Sequence, residues 1–121
     1  SELYQMILND EETEIARSLC TRFGLSEEIW QQAIPDLSGG ERKKVFLPLA
    51  FAIDPEVMIL DEPTNSLDEI SCRTLYDLLR KRIHGTMIIT HNAALSSMGS
   101  VICYVQKGGV VVEKNCEKAD L

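Results

Sequence analysis

The chain is poor in several things, and each shortage excludes something. No apolar run approaches the ~20 residues that span a bilayer, so no transmembrane helix is expected. The first residues, Ser1-Glu2-Leu3-Tyr4, lack the basic stretch and apolar core of a secretory signal. They also lack an initiator Met, as in a processed chain or a piece of a longer one. The four cysteines, Cys20, Cys72, Cys103 and Cys116, form no Cys-x-x-Cys pair, so free thiols in a reducing compartment are expected and a zinc site is not. Basic residues are outnumbered 12 to 19 by acidic ones, and the net charge is -7. That balance argues against a chain whose main task is to grip nucleic acid or an anionic membrane. The best local basic patch is Arg42-Lys43-Lys44, more simply read as a solvated helix face.

What is present suits a single soluble domain. The 121 residues are 45% hydrophobic and 26% charged. The organising stretch is Val57-Met58-Ile59-Leu60-Asp61-Glu62-Pro63-Thr64-Asn65-Ser66-Leu67-Asp68. Its apolar run without alternation predicts a strand buried on both faces of a parallel sheet. Asp61 and Glu62 end that strand, where open α/β sheets place their ligands. Pro63 stops the strand and Asn65-Ser66 turns the chain.

The flanking sequence predicts the other elements. Asp10 to Phe23 reads as a helix capped by Asp10, with Ile15, Ala16, Leu19 and Phe23 as its apolar stripe and Gly24 as its stop. A short helix is expected over Ser26 to Ala33, ended by Pro35. From about Glu41 to Ile53 the pattern is helical and apolar nearly all round, predicting burial, with a kink at Pro48. A further helix is expected from about Glu69 to Ile83, with Ile70, Leu75, Leu78, Leu79 and Ile83 inward. Thr86 to Thr90 reads as a second buried strand with His91 at its end, and Ala93 to Met98 as a short helix. Val101 to Val105 and Val110 to Glu113 flank Lys107-Gly108-Gly109, a hairpin signal. The tail from Asn115 is polar. A composition shift near Asp36 divides a helical lobe from an α/β lobe.

Three groups carry chemistry. Ser38-Gly39-Gly40 precedes a helix, and glycines there let backbone N–H groups approach an anion such as phosphate; a plain turn is the alternative. An Asp at a strand end can hold Mg²⁺ beside nucleotide phosphates, and a neighbouring Glu can orient or deprotonate water; two solvated carboxylates are the alternative. His91 can reach a terminal phosphate or serve a structural bond, and Asp68 can cap a helix or face a ligand or partner.

Their order and spacing resemble the ATP-binding cassette (ABC) ATPase family. Leu37-Ser38-Gly39-Gly40-Glu41 is similar to its signature motif, and Val57 to Glu62 to its Walker B strand with the catalytic Glu. Pro63 to Asp68 resembles the run into its D-loop, and Thr90-His91-Asn92 its switch-histidine loop. The likeness covers about Asp36 to Glu113.

That resemblance implies an α/β fold: a partial P-loop NTPase-like core, a mostly parallel sheet with flanking helices, plus part of an α-helical subdomain. Residues 1–36 would belong to the helical subdomain, 37–114 to the C-terminal part of the core, and 115–121 to a tail. It implies ATP as substrate and Mg²⁺ held through water by Asp61. Glu62 and His91 would be catalytic. Ser38, Gly39, Gly40 and Glu41 would bind nucleotide held by an opposite subunit, and Ser66, Leu67 and Asp68 would lie at the dimer interface. The implied function is ATP binding and hydrolysis driving transmembrane transport, at the cytoplasmic face of a membrane through a transmembrane partner. Alternatives are a non-transport ABC protein of the translation or DNA-repair type, and a non-hydrolysing module that completes a partner's ATP site. No nucleic acid partner is expected.

One family part is absent from the sequence. No Gly-x-x-x-x-Gly-Lys-[Ser/Thr] loop occurs, so the strongest phosphate contacts of such a site are not in this chain. The expected partners are therefore an N-terminal half carrying Walker A and a second ABC domain. Alone, the chain is expected to be inactive.

Overall fold

The computed structural model describes residues 8–26 and 39–114. The expected helix over Ser26 to Ala33 and the tail lie outside the described residues, apart from Ser26 itself.

Helix α1 spans Asp10–Arg22. Its cap is Asn9, one residue before the expected Asp10. Asn9 Oδ1 accepts the Glu12 N–H at 2.8 Å and Glu12 Oε1 accepts the Asn9 N–H at 3.1 Å, a reciprocal capping box. Asp10 instead joins Glu11 and Glu12 in the first turn, where carboxylates favour the positive helix end. Gly24, at φ 82°, ends the helix as expected, and Leu25 N–H returns to the Cys20 carbonyl at 3.0 Å. Ala16, Leu19 and Phe23 are buried, but Ile15 is exposed and Cys20 takes its place. Positions 16, 19, 20 and 23 follow the helical repeat more closely than a stripe including 15.

Helix α2, Gly39–Ile53, starts at the glycines rather than after them and carries Pro48 fully buried in its interior. It packs in two directions. Val45, Leu49 and Ala52 join Ala16, Cys20, Leu25 and Leu8 in one apolar cluster. Leu47, with Ala50 and Phe51, meets Phe23, Met58, Leu60 and Leu75 in a second.

Strand β1, Val57–Asp61, pairs in parallel with β2, Gly85–Ile89, from Val57 opposite Gly85 to Asp61 opposite Ile89. Helix α3, Glu69–Lys81, supplies the crossover that parallel strands need and brings Leu75, fully buried, onto the second cluster. The expected burial of β1 on both faces is corrected. Met58 and Leu60 are inside, but Val57 is 69% and Ile59 63% exposed, and Met87 and Ile89 of β2 are exposed too. Among the described residues, helices cover one face of this sheet and no third strand joins it. Two further inward assignments fail: Ile70 and Ile83 of the α3 stripe are exposed. Ile83 lies past the end of the helix.

Polar contacts join these elements. Ser71 Oγ, buried on α3, donates to the Phe23 carbonyl at 3.0 Å, and Thr74 Oγ1 donates to the Arg22 carbonyl at 3.0 Å. These satisfy carbonyls at the end of α1 that the helix leaves without partners. Arg82, whose side chain is 2% exposed, ties the entries of both strands together. Its guanidinium donates to Asp54 Oδ1 at 2.8 Å, Thr86 Oγ1 at 2.7 Å and Gly85 O at 3.2 Å, and to the Pro55 carbonyl.

Helix α4, Ala93–Met98, follows β2, and the antiparallel hairpin of β3 (Val101–Gln106) and β4 (Gly109–Lys114) turns through Gly108 at φ 99°. The hairpin is where the sequence placed it, each strand one residue or two longer.

Two outcomes test this packing. Leu75→Ala should lower the unfolding free energy by about 2–5 kcal/mol, read by denaturant titration, because it empties the second cluster at its centre. The uncovered apolar sheet face should make the isolated chain self-associate on size-exclusion chromatography, and Ile59→Lys should shift it toward monomer. A clean monomer from the unaltered chain would count against that.

Candidate functional site

Parallel pairing puts the C-terminal ends of β1 and β2 side by side, because the strands run together at about 4.8 Å spacing. Asp61 is opposite Ile89, so Glu62 and His91 leave the sheet as neighbours. The ladder extends one step past the strands: Glu62 N–H donates to the Ile89 carbonyl at 2.7 Å.

The backbone then reverses sharply. Glu62 sits at φ 44° and Ser66 at φ 67°, both left-handed values that cost a non-glycine residue about 1 kcal/mol or more each. Asn65 N–H donates to the Glu62 carbonyl at 3.1 Å and Leu67 N–H to the Thr64 carbonyl at 3.1 Å, so two overlapping turns carry the chain to Asp68.

The Glu62 side chain is 24% exposed, and its Oε1 accepts the backbone N–H of His91 at 3.1 Å. The His91 imidazole is fully exposed, with Nε2 3.7 Å from the same oxygen, beyond hydrogen-bond reach. The backbone N–H of His91, not its ring, makes the hydrogen bond to Glu62, and the ring stands exposed beside the same carboxylate. Asn92 follows, its Oδ1 accepting the N–H groups of Ala94 and Leu95 at 2.9 and 3.3 Å, and its Nδ2 3.5 Å from Thr64 Oγ1. Asn92 thus caps α4 and ties the His91 loop to the acidic turn.

The Asp61 side chain is exposed on the uncovered face of β1, and its carboxylate has no hydrogen-bond or ion-pair partner among the described residues. No group of three or more His, Cys, Asp or Glu side chains that could hold a metal occurs among the described residues. One unpartnered carboxylate is what Mg²⁺ commonly takes from a protein when water and phosphate fill its other positions. The residues present therefore fit that ion in the company of a phosphate, and do not form a closed protein cage.

Asp68 does what a cap does. Its Oδ1 accepts the Ser71 N–H at 2.8 Å at the start of α3, and its Oδ2 meets Lys44 Nζ at 2.9 Å. The Ser71 bond, then the Lys44 ammonium, hold its carboxyl well below the usual carboxylate range. Cys72 beside it is pushed the other way, by burial first and the Asp68 charge second. Of the other sequence-derived site residues, Gly39, Gly40 and Glu41 form the first turn of α2, and Ser66 and Leu67 lie in the turn before Asp68. Ser38 lies outside the described residues.

Sequence reasoning missed two residues. Lys43 and Lys44 are not a solvated face. Lys43 Nζ donates to the Glu62 carbonyl at 2.9 Å and the Asn65 carbonyl at 2.6 Å, while Lys44 reaches Asp68. A signal was available: cations early in a helix oppose its dipole, so adjacent lysines there need acceptors elsewhere.

Known proteins resemble this chain. A family model described as ABC transporter matches residues 3–65. Lipoprotein-releasing system ATP-binding protein LolD 2 of Chlorobium chlorochromatii is 32% identical over 109 residues, 86% of this chain and 44% of that protein. Energy-coupling factor transporter ATP-binding protein EcfA2 of Geobacillus kaustophilus is 37% identical over 87 residues, 69% of this chain and 30% of that protein. Among solved structures, a dimeric ATP-binding cassette in a post-hydrolysis state bound to ADP and Pi matches with a TM-score of 0.73 at 26% identity, covering 89% of this chain and 49% of that one. The chain spans less than half the length of each.

The Asp68 bonds predict an acid response. A carboxyl depressed in the fold contributes stability above its unfolded pKa of about 3.9 and loses it as pH falls through the folded value. Asp77, lowered by Arg22 and Lys81, acts in the same direction. Chemical unfolding followed from pH 6 down to pH 2 should show stability falling, with a shallower fall in Asp68→Asn.

Proposed function

The chain belongs to the ABC transporter family, and on that premise we propose that it supplies the C-terminal half of an ATPase domain whose hydrolysis of ATP drives transport across a membrane. The observation that carries the reading is the strand-end pair: Glu62, aimed by the His91 N–H, beside Asp61 with its carboxylate unpartnered.

Each residue then has a task. Asp61 would hold Mg²⁺ through water, and the ion, when bound, offsets the charge of the phosphates. Glu62 orients the attacking water and takes its proton, the role of a positioned carboxylate in phosphoryl transfer. The exposed His91 ring is free to donate to the γ-phosphate. Gly39 and Gly40, at the start of α2, with Ser38 before them and Glu41 after, offer N–H groups and a hydroxyl to the γ-phosphate of ATP held by a second ABC domain. Ser66, Leu67 and Asp68 would face that domain. Residues 1–36 would be part of the helical subdomain, 37–114 the C-terminal core and 115–121 a tail.

Partners follow from what the chain lacks. The phosphate-cradling loop would come from an N-terminal half, and the uncovered face of β1 and β2 is the surface such a half would cover. The known relatives are ATP-binding proteins of transport systems, which supports a transmembrane partner and a place at the cytoplasmic face of a membrane. Among the described residues, no helix is long and apolar enough to cross a membrane.

Mixing the chain with a fragment carrying the Walker A half tests the proposal. ATP hydrolysis should appear on mixing and fall by about 100-fold or more with Glu62→Gln, the scale of a lost general base. No hydrolysis, together with tighter ATP binding by the added fragment, would replace this reading with that of a non-hydrolysing module.

A further inference from the structure

We propose that Lys43 is a positioning residue for Glu62, fixing the carboxylate through its own main chain and linking it to the start of helix α2. The inference rests on the reading of Glu62 as the water-activating residue.

The turn after β1 is an unfavourable piece of backbone. Glu62 at φ 44° and Ser66 at φ 67° are left-handed without being glycine, and such a conformation persists only where the surroundings fix it. Lys43 does this. Its ammonium bridges the carbonyls of Glu62 and Asn65, at 2.9 and 2.6 Å, the two ends of the first turn. The Glu62 carbonyl also accepts the Asn65 N–H, so one cation gathers both termini of the turn at a partly buried point. Hydrogen bonds from a charged donor are about twice as strong as neutral ones.

Geometry carries the effect to the carboxylate. The Glu62 main chain is held on one side by the Ile89 carbonyl and on the other by Lys43. With both in place, the side chain leaves the turn toward the His91 N–H. Releasing the Lys43 bond would let Glu62 relax toward ordinary φ and swing its carboxylate away. Lys44, the next residue, meets Asp68 at the far end of the same loop. Consecutive residues of one helix thus hold both ends of the segment from Glu62 to Asp68.

That helix begins at Gly39-Gly40. Lys43 lies one turn further along, so a displacement of the helix start is passed to Glu62 through a single side chain. The glycine turn and the acidic turn are mechanically one unit in this chain.

The test uses the complete ATPase, this chain with the Walker A half present. Lys43→Met keeps the aliphatic stem and removes the donors; Lys43→Arg restores them. In the Met variant kcat should fall about 10- to 100-fold with KM for ATP unchanged, the pattern of misplaced chemistry rather than lost binding. Amide hydrogen exchange at His91 should quicken, since its carboxylate acceptor has moved. The Arg variant should recover both. Unchanged kcat and exchange in the Met variant overturn the proposal. So does a lower melting temperature with normal kcat per folded molecule, which would show a structural role only. Lys43→Gln, too short to bridge both carbonyls, serves if the Met variant does not fold; wild-type values for it in both readouts overturn the proposal as well. If the unaltered enzyme shows no hydrolysis that depends on Glu62, the functional reading fails, and the exchange at His91 still decides whether Lys43 positions Glu62.

Discussion

Among the described residues, α1 and the β1–β2 sheet both pack on helix α2. Two apolar clusters meet on it, one toward α1 through Val45, Leu49 and Ala52, the other toward the sheet through Leu47, Ala50 and Phe51. A helix that buries opposite faces cannot shift toward one neighbour without opening a gap at the other, because interiors are packed nearly as densely as crystals. Pro48 is tolerated there for the same reason: tertiary packing on both sides outweighs the missing backbone bond. The position of this helix sets where Lys43 and Lys44 end, and those two side chains hold the loop from Glu62 to Asp68. Fold and site therefore share one mechanical element.

Much of this was legible in the sequence, for specific reasons. Long segments with a clear period gave α1 and α3, a run apolar nearly all round gave α2, and the apolar runs before Asp61 and Thr90 gave the parallel strands that set the site. Glu62 and His91 could be paired in advance because parallel strands end at the same level. The α/β class and the family followed from four short motifs in order, and the solved cassettes share the fold. What failed was assignment by residue type where position decides. Asn9 caps α1 because its side chain reaches the Glu12 N–H, and Asp10 is already inside the helix. Ile15, Ile70 and Ile83 are apolar yet exposed, since each lies off the buried face or past the helix end.

The polar contacts were harder to read because they cross long sequence distances. Lys43 meets Glu62, Ser71 meets Phe23, and Arg82 meets Asp54 and Pro55; a local pattern can hint that a group needs a partner, but it does not name the partner. Arg82 is the clearest case. Its sequence neighbours suggest an exposed helix end, but its guanidinium is buried among acceptors from the turns that open both strands. A planar donor group with several N–H bonds suits that task, and lysine could not reproduce the same spread of contacts.

The sheet face is where fold and chemistry constrain each other most. Val57, Ile59 and Asp61 alternate with Met58 and Leu60, so the Asp61 carboxylate projects from the same side as the uncovered apolar residues. Whatever covers Val57 and Ile59 must therefore approach Asp61 as well. A covering surface that brought no positive charge would bring the carboxylate into a drier environment without compensation, which is costly. One that brought a bound cation with phosphate, or a lysine, would bury the apolar strip and pair the acid together. The same alternation that orients β1 thus couples the two: among the described residues, any surface that covers the apolar strip of β1 also meets the Asp61 carboxylate.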